Sequence, residues 1–509
     1  MSKNKKILIK RLFSHLEGIT VIPTFLTLDK FNVIEKIKSK KNISLEELTN
    51  KNLIQPGYMN VALTTLSSLN VLNKIIDNNN VYYNVTDYGI RYIKCIKNYF
   101  FYSEIKNSIN RFIINDVKEE DISSYINSLN ELLNDLEQNL KKLLESNDEI
   151  DNKIAHHIEG AILAPLLIYN SHNQSNGKVK DIIKKILSFD LNTNSEEAYQ
   201  YFCLRSKSYG VTASYQPIFS NLDEIIFKGK NPTDFKDKDN NELHVNRRLN
   251  VWGSGGAHKT YFNKIDKIIE HIFNKPIEQQ PKGIADMGCG DGMFLQHLYE
   301  LILNKTIRAE YIDKYPLILV GADLNQKAIN ESKKTLDNAN INCNFLIADI
   351  SNPESYKQNL KNTFNIKIED LLHVRSFLDH NRVYKDVEKI EGSEIPKSTG
   401  AYAYKGKYLG SRRIASNLIH HFQLWKNYIN KHGLLLLELH GLNLTLAQKN
   451  TSSTPTIAYE ATHGYSDQYI VEYHFFLECA KIAGLKKIDR YSKVFPNEKI
   501  TTISINLFK

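Results

Sequence analysis

The residues of this chain best suited to chemistry crowd into its second half. The stretch "LLHVRSFLDHNR" (371–382) opens like a buried strand and ends on Asp379, His380, Asn381 and Arg382. A second apolar run, "GLLLLELH", ends on Glu438 and His440. A third, "EATHGYSDQY", carries His463, Asp467 and Gln468 in what reads as a Gly-containing loop before the helix "VEYHFFLECAKIAG". Imidazoles and carboxylates brought to one crevice support two kinds of chemistry. In the first, a histidine such as His380 or His463 takes a proton while a carboxylate orients it. In the second, two or three N/O ligands hold a mononuclear metal with open positions, which binds a carbonyl oxygen and stabilises an enolate. Any one of these side chains could instead satisfy strand-end backbone. For the whole set that reading is weaker, because desolvating several ionisable groups is costly.

A separate pattern points to a nucleoside-bearing cofactor. "ADMGCGDG" places Asp286, Gly288, Cys289, Gly290 and Gly292 at a strand-to-helix turn. Glycines there let backbone approach a ligand, and the helix start that follows favours polar or anionic groups. Cys289 reads as a small side chain that fits the turn. Two further strands end in acids, Asp323 in "VGADLN" and Asp349 in "IADI". An acid after the second strand suits a ribose diol. An acid after the third suits an adenine amino group, which needs an acceptor.

The elements that must position these residues alternate from about residue 245 onward. "PKGIADMGC", "LILVGADL", "CNFLIADI", "IEDLLHVRSF" and "GLLLLELH" read as strands, separated by amphipathic helices. This implies an α/β fold, a Rossmann-like parallel, doubly wound sheet with its ligands at the carboxyl ends of the strands. Upstream, residues 10–95 read as three helices, an Asn-turned hairpin and a last helix, the pattern of a winged helix. Residues 98–225 are mostly helical, with "IAHHIEGAILAPLLIYN" as a buried helix broken near Pro165 and His156 and His157 as ordinary helical residues. The polar stretch "KGKNPTDFKDKDNNELH" carries the boundary, giving domains 1–97, 98–230 and 231–509. Gly253, Gly255 and Gly256 in "VWGSGGAHKTYF" read either as a cover over the cofactor, with His258 and Tyr261 inside, or as a tight turn before a helix.

The ordered set "ADMGCGDG", "GADLN", "ADI" resembles that of class I S-adenosylmethionine-dependent methyltransferases over residues 280–509. The resemblance implies a cofactor site of Asp286, Gly288, Cys289 and Gly290 against the methionine part. Asp323 with Leu324 would serve the ribose, and Asp349 with Ile350 the adenine. The segment "NKTIRAEYIDKYP" is an insertion relative to that pattern. "HVNRRLNVWGSGGAHKTYF", "HVRSFLDHNR", "LELH" and "ATHGYSDQY" together resemble C-methyltransferase domains of polyketide-synthase starter modules, some of them dependent on mononuclear iron. That resemblance implies a metal, iron or manganese, at His440 and Gln468, with Asp379 or His380 as the further ligand. The winged helix resembles those that pair subunits and line the substrate pocket of small-molecule methyltransferases, which implies a homodimer.

Composition fits a soluble globular protein of two or three domains, with 509 residues, 42% hydrophobic and 24% charged. The net charge of +9 permits an acidic partner and identifies none. The third helix, "MNVALTTLSSLNVL", lacks Arg and Lys, which argues against nucleic acid. Five scattered cysteines suggest reduced thiols, and the basic start lacks the apolar core of a signal peptide, so a cytoplasmic location is expected. No run is long enough to cross a bilayer. The function expected is methyl transfer to a carbon alpha to a carbonyl, on a small acid, free or bound to an acyl carrier protein. Metal-independent O-methylation of a small molecule and a ligand-sensing transcription regulator are the alternatives.

Overall fold

The structure, a computed structural model, describes residues 3–77, 80–105, 118–146, 148–172, 177–190, 192–238, 242–387 and 395–509, without the side chains of residues 3 and 256–259. It divides into two compact units. The first comprises Met1–Ala257, Thr399–Gly410 and Asn443–Gln468, and the second His258–Ser398, Ser411–Leu442 and Tyr469–Lys509. Residues 231–257, grouped by sequence with the catalytic portion, belong to the first unit. The chain passes between units inside the helix Arg247–Phe273. "VWGSGGAHKTYF" is therefore helical, neither cover nor turn. Gly253 explains one glycine: a Cβ there would come within 2.7 Å of the Gly210 Cα, so a side chain would force the helices apart. The side chain of His258 lies outside the described residues.

The core of the first unit is the pairing of helix Lys3–Lys30 with helix Glu149–His172. Gly18 and Gly160 let the backbones close up. A Cβ on Gly18 would stand 2.2 Å from the His157 carbonyl oxygen, and one on Gly160 would stand 2.2 Å from the His15 Cα. Between the helices lies a fully buried polar network. Arg11 donates from Nε to Glu159 at 2.7 Å and from Nη1 to Asp190 at 2.9 Å, while His15 bridges Glu159 (2.8 Å) and Tyr209 (2.7 Å). The second helix runs through Pro165 unbroken, contrary to expectation. Its whole middle is enclosed in the core, so packing overrides the local break. His157 belongs to this core too, with its ring nitrogen 2.9 Å from the Tyr99 hydroxyl.

Residues 33–94 fold as helix Val33–Lys38, strand Ile43–Ser44, helices Leu45–Leu48 and Pro56–Ser68, strands Leu72–Asp77 and Asn80–Val85, and helix Asp87–Lys94. Ser44 and Glu47 form a reciprocal capping box on the second of these helices. The three strands form one antiparallel sheet with Asn80–Val85 in the middle. Residues 57–68 are buried throughout. The small hairpin Tyr402–Tyr404/Lys407–Leu409 and helix Thr456–Tyr465 pack on this segment. Two excursions of the chain thus cover helix Pro56–Ser68.

The second unit is a seven-stranded sheet: β1 (Gly283–Met287), β2 (Ile318–Asp323), β3 (Asn344–Ile347), β4 (Leu371–Ser376), β5 (Leu434–Leu439), β6 (Lys493–Asn497) and β7 (Ile500–Phe508). Their spatial order is β6-β7-β5-β4-β1-β2-β3. The first five strands are parallel, and β7 runs antiparallel to both β5 and β6. β1, β4 and β5 are buried along their whole inner length, as their unbroken apolar runs require of a sheet covered on both faces. The closing β6–β7 hairpin escaped the sequence reading, although "ITTISINLF" alternates at the strand period. The insertion at 304–316 leaves the register intact. Arg308, buried in it, donates to the carbonyls of Pro281, Lys282, Tyr315 and Pro316 and so ties the loop to the start of β1. Among the described residues no helix is long and apolar enough to cross a membrane.

The close helix contact in the first unit gives a stability prediction. Gly18→Ala should cost on the order of 1–3 kcal/mol, the usual range for overpacking a core. A lower denaturant midpoint with unchanged slope would be its signature; an unchanged midpoint would count against the contact.

Candidate active site

The switch in strand order lies between β1 and β4, and the carboxyl ends of these two strands carry the residues in question. After β1 the chain turns through Gly288, Gly290 and Gly292 at φ of +80°, +54° and +78°, a region that side chains disfavour. Gly292 then starts helix Met293–Lys305. The Gly288 and Cys289 amides donate to the Ala322 carbonyl, and the Gly290 amide donates to Asp323 Oδ2 at 3.3 Å. The glycine turn is thus tied to the end of β2. Cys289 is buried, with Ser332 Oγ 3.3 Å from its sulfur. Leu324 is exposed beyond Asp323. Asp349, beyond β3, accepts the Ser351 amide at 2.7 Å, and the Ile350 carbonyl accepts the Trp425 indole N–H at 2.7 Å.

Asp286 is the most unusual member of this group. It is 1% exposed, and its Oδ1 finds no hydrogen-bond partner among the described residues. Burial, and after it the charges of Asp323 and Asp291, push its pKa up to about 8. A buried carboxyl without a partner is costly unless something polar or cationic completes it.

β4 ends in a strained turn. Phe377 sits at φ +55°, rare for a bulky side chain, and its amide is fixed on the Leu437 carbonyl at 2.7 Å. Leu378 comes up against the glycine turn: a Cβ on Gly288 would lie 2.8 Å from it. Asp379 and His380 follow, both buried, with different partners. Asp379 Oδ1 accepts from Arg375 Nη1 at 2.6 Å and from His421 Nε2 at 2.9 Å. Burial alone would raise this carboxyl, but Arg375 and His421 hold it well below the usual carboxylate range. His380 Nδ1 donates to Glu438 Oε1 at 2.6 Å, and the His380 amide donates to Glu438 Oε2 at 3.2 Å. The Leu439 amide also donates to Glu438 Oε1, at 2.7 Å. Glu438 thereby orients the ring and favours the tautomer with the proton on Nδ1. The register produces this pair. Ser376 of β4 lies beside Leu437 of β5, one residue before Glu438.

The metal-ligand set inferred from sequence, Asp379, His440 and Gln468, does not fit a metal. Asp379 is already neutralised by a guanidinium, which would repel a dication. His440 is fully enclosed, with Nδ1 3.3 Å from the Val471 carbonyl and Nε2 2.8 Å from the Ser504 hydroxyl, so both ring nitrogens are engaged. Burial lowers its pKa to about 3, so it is neutral. Gln468 belongs to the first unit, where its amide donates to the Tyr215 hydroxyl at 3.1 Å. Among the described residues no three His, Cys, Asp or Glu side chains gather as ligands. His463 also belongs to the first unit. It sits on helix Thr456–Tyr465, where a loop was expected, and its Nδ1 donates to the Tyr459 carbonyl at 2.7 Å. The helix forms because residues 456–465 bury nearly their whole length against the first unit's core.

Sequence reasoning missed the partners. Arg375 and His421 secure Asp379, and Arg382 donates to the Asp379 carbonyl (2.9 Å) and to Asn417 (2.7 Å). An arginine near the end of a buried apolar strand, in "HVRSF", was the available signal.

A family model described as the AprA MT2-like domain matches residues 242–506, more than half of the chain, and one for the AprA N-terminal domain matches residues 8–74. The chain belongs to the AprA MT2-like methyltransferase family. This AprA MT2-like protein is an S-adenosylmethionine-dependent methyltransferase with a Rossmann-like class I core. Solved structures similar to it include the citrinin polyketide synthase CMeT domain, 8% identical over 97% of this chain and 88% of that one, TM-score 0.43. An O-methyltransferase family 2 protein from Planctomyces limnophilus, in complex with apigenin, is 8% identical over 100% and 97%, TM-score 0.42. The DszA carbon methyltransferase is 10% identical over 79% and 95%, TM-score 0.33. No curated protein matches.

The residues at the glycine turn fit the family's cofactor. A cationic amino acid moiety would complete the unpartnered Asp286, and the left-handed glycines leave the space a side chain would fill. Burial keeps the Asp286 proton in place to about pH 8, against an ordinary value of 3.8. The native state therefore binds the extra proton between those values, and this group removes stability as pH rises through that window. Asp286→Asn should melt higher than the parent at pH 8 and close to it at pH 4, yet bind S-adenosylmethionine at least tenfold more weakly. Thermal melts at both pH values and calorimetry check this; a variant less stable than the parent at pH 8 would contradict it.

Proposed function

We propose that this methyltransferase acts on a carbon alpha to a carbonyl, with His380 as the base and Glu438 as its orienting partner. The observation that carries the proposal is the buried 2.6 Å contact between His380 Nδ1 and Glu438 Oε1 at the carboxyl end of β4 and β5. S-adenosylmethionine, when bound, supplies a methyl group on a positively charged sulfur. Asp286 and the glycine turn would hold its amino acid end, Asp323 the ribose and Asp349 the adenine. His380 Nε2 takes the proton from the acceptor carbon, and Glu438 stabilises the imidazolium that results. A carbon acid needs this assistance more than a phenol does, because its proton is far less acidic. That difference favours C-methylation over O-methylation for a site with a buried, carboxylate-backed base. No step is assigned to a metal.

The substrate class is a polyketide-type or other small acyl compound, free or carried on an acyl carrier protein. Homodimerisation through the N-terminal region belongs to the same reading. The sealing of helix Pro56–Ser68 supports a role other than reading nucleic acid. The five cysteines are unpaired, which suits a reducing compartment such as the cytoplasm.

His380→Ala and Glu438→Gln should each lower kcat by a factor of about 10²–10⁴, the usual contribution of a positioned acid–base group. Cofactor affinity should stay within about twofold. Assay with a β-ketoacyl thioester and mass spectrometric location of the added methyl provides the measurement. Methyl found on oxygen, or His380→Ala retaining turnover, would overturn the assignment. Turnover should persist after exhaustive chelation, and loss restored by iron or manganese would reinstate the metal.

A further inference from the structure

The second unit carries a basic cavity at the edge of the sheet opposite the catalytic residues. It measures about 140 Å³, and its lining includes Lys275, Lys431, His432, Arg490, Tyr491 and Lys509 together with aliphatic side chains. Lys431 and His432 stand just before β5, separated from it by Gly433, and Lys509 directly follows β7, which runs antiparallel to it. The cavity therefore sits at the amino-terminal edge of the parallel strands. His380, Glu438 and the glycine turn lie at the carboxyl edge, a strand length of roughly 17–20 Å away.

Four cations line the cavity, and among the described residues Asp370 is the carboxylate side chain that pairs with one of them. Asp370 takes Lys431 at 2.6 Å but also takes Lys282 at 2.8 Å. Lys509 Nζ donates to the Lys431 carbonyl at 2.9 Å. Among the described residues no carboxylate pairs with Lys275 or Arg490. Two buried polar atoms on the lining, His432 Nε2 and Tyr491 Oη, have no hydrogen-bond partner among the described residues, and His432 is only 9% exposed. Burial first, then Lys509 and Arg490, pulls the Lys275 ammonium below its ordinary pKa. Cations converging on a cavity with unpaired buried polar atoms form a receptor for a compact polyanion, since each N–H···O⁻ bond from a cation is charge-assisted.

We propose that this cavity is a binding site for a phosphate-class anion, either inorganic phosphate or the phosphomonoester of a small metabolite, distinct from the cofactor and acceptor sites. Arg490 and Lys275 supply the principal charge, and His432 and Tyr491 supply the enclosed hydrogen bonds.

The test uses the full chain in calorimetry and thermal melts with inorganic phosphate and, separately, glycerol 3-phosphate. Sodium chloride at matched ionic strength removes general screening. Saturable binding of inorganic phosphate is the expected result, weakened at least tenfold in Arg490→Ala and in Lys275→Gln, with S-adenosylmethionine affinity unchanged in both. Arg490 is exposed on the surface, so its replacement leaves folding intact. Tighter binding of glycerol 3-phosphate would identify the ester as the ligand. No saturable response to either compound beyond the chloride control would overturn the proposal. So would a response that survives both substitutions.

Discussion

The lateral register of β4 between β1 and β5 is the constraint on which the site depends. Parallel pairing sets Val374 beside Asp286 and Ser376 beside Leu437. From that register alone, the residues after β4 emerge between the glycine turn and Glu438. A shift of one residue would exchange the side chains that the two covered faces receive and separate His380 from its carboxylate. The Phe377 amide on the Leu437 carbonyl and the Arg308 hydrogen bonds at the opening of β1 fix the ends of the same strands.

Three acids at these strand ends are buried to a similar degree and differ through their neighbours. Asp379 meets a guanidinium and an imidazole and stays ionised. Glu438 meets an imidazole and two backbone amides. Asp286 meets only other acids and keeps its proton. One pairs with a guanidinium and an imidazole, one holds an imidazole and backbone amides, and the third has a carboxyl oxygen without a partner among the described residues. Like residues thus acquire different tasks because electrostatic surroundings, and not residue type, fix the charge each can hold.

Much of the second unit could be read from the chain. Apolar runs of strand length, ended by Gly or acid and followed by amphipathic stretches, located the first five strands and the glycine turn. The elements that were misread share a cause. Pro165, the glycines at 253–256 and the segment around His463 all carry local signals for a break, a turn or a loop, yet each lies in a helix. Gly253 faces Gly210, and the other two segments are enclosed by the first unit's core. Packing free energy summed over such contacts exceeds the few kcal/mol of local preference.

The candidate site divides along the same line. By itself the sequence determined that a parallel sheet would present Asp286, the glycines, Asp323 and Asp349 at its strand ends, because period and turn chemistry are local properties. It also determined that Asp379, His380, Glu438 and His440 would lie near one another. Which of these meets which was decided only by the tertiary structure. Arg375 and His421 take Asp379, Glu438 takes His380, and Ser504, on a strand far along the chain, takes His440. The pairs with His421, Glu438 and Ser504 join residues 42, 58 and 64 positions apart. Pairing at such separations depends on strand register and rotamer, and no local pattern encodes it.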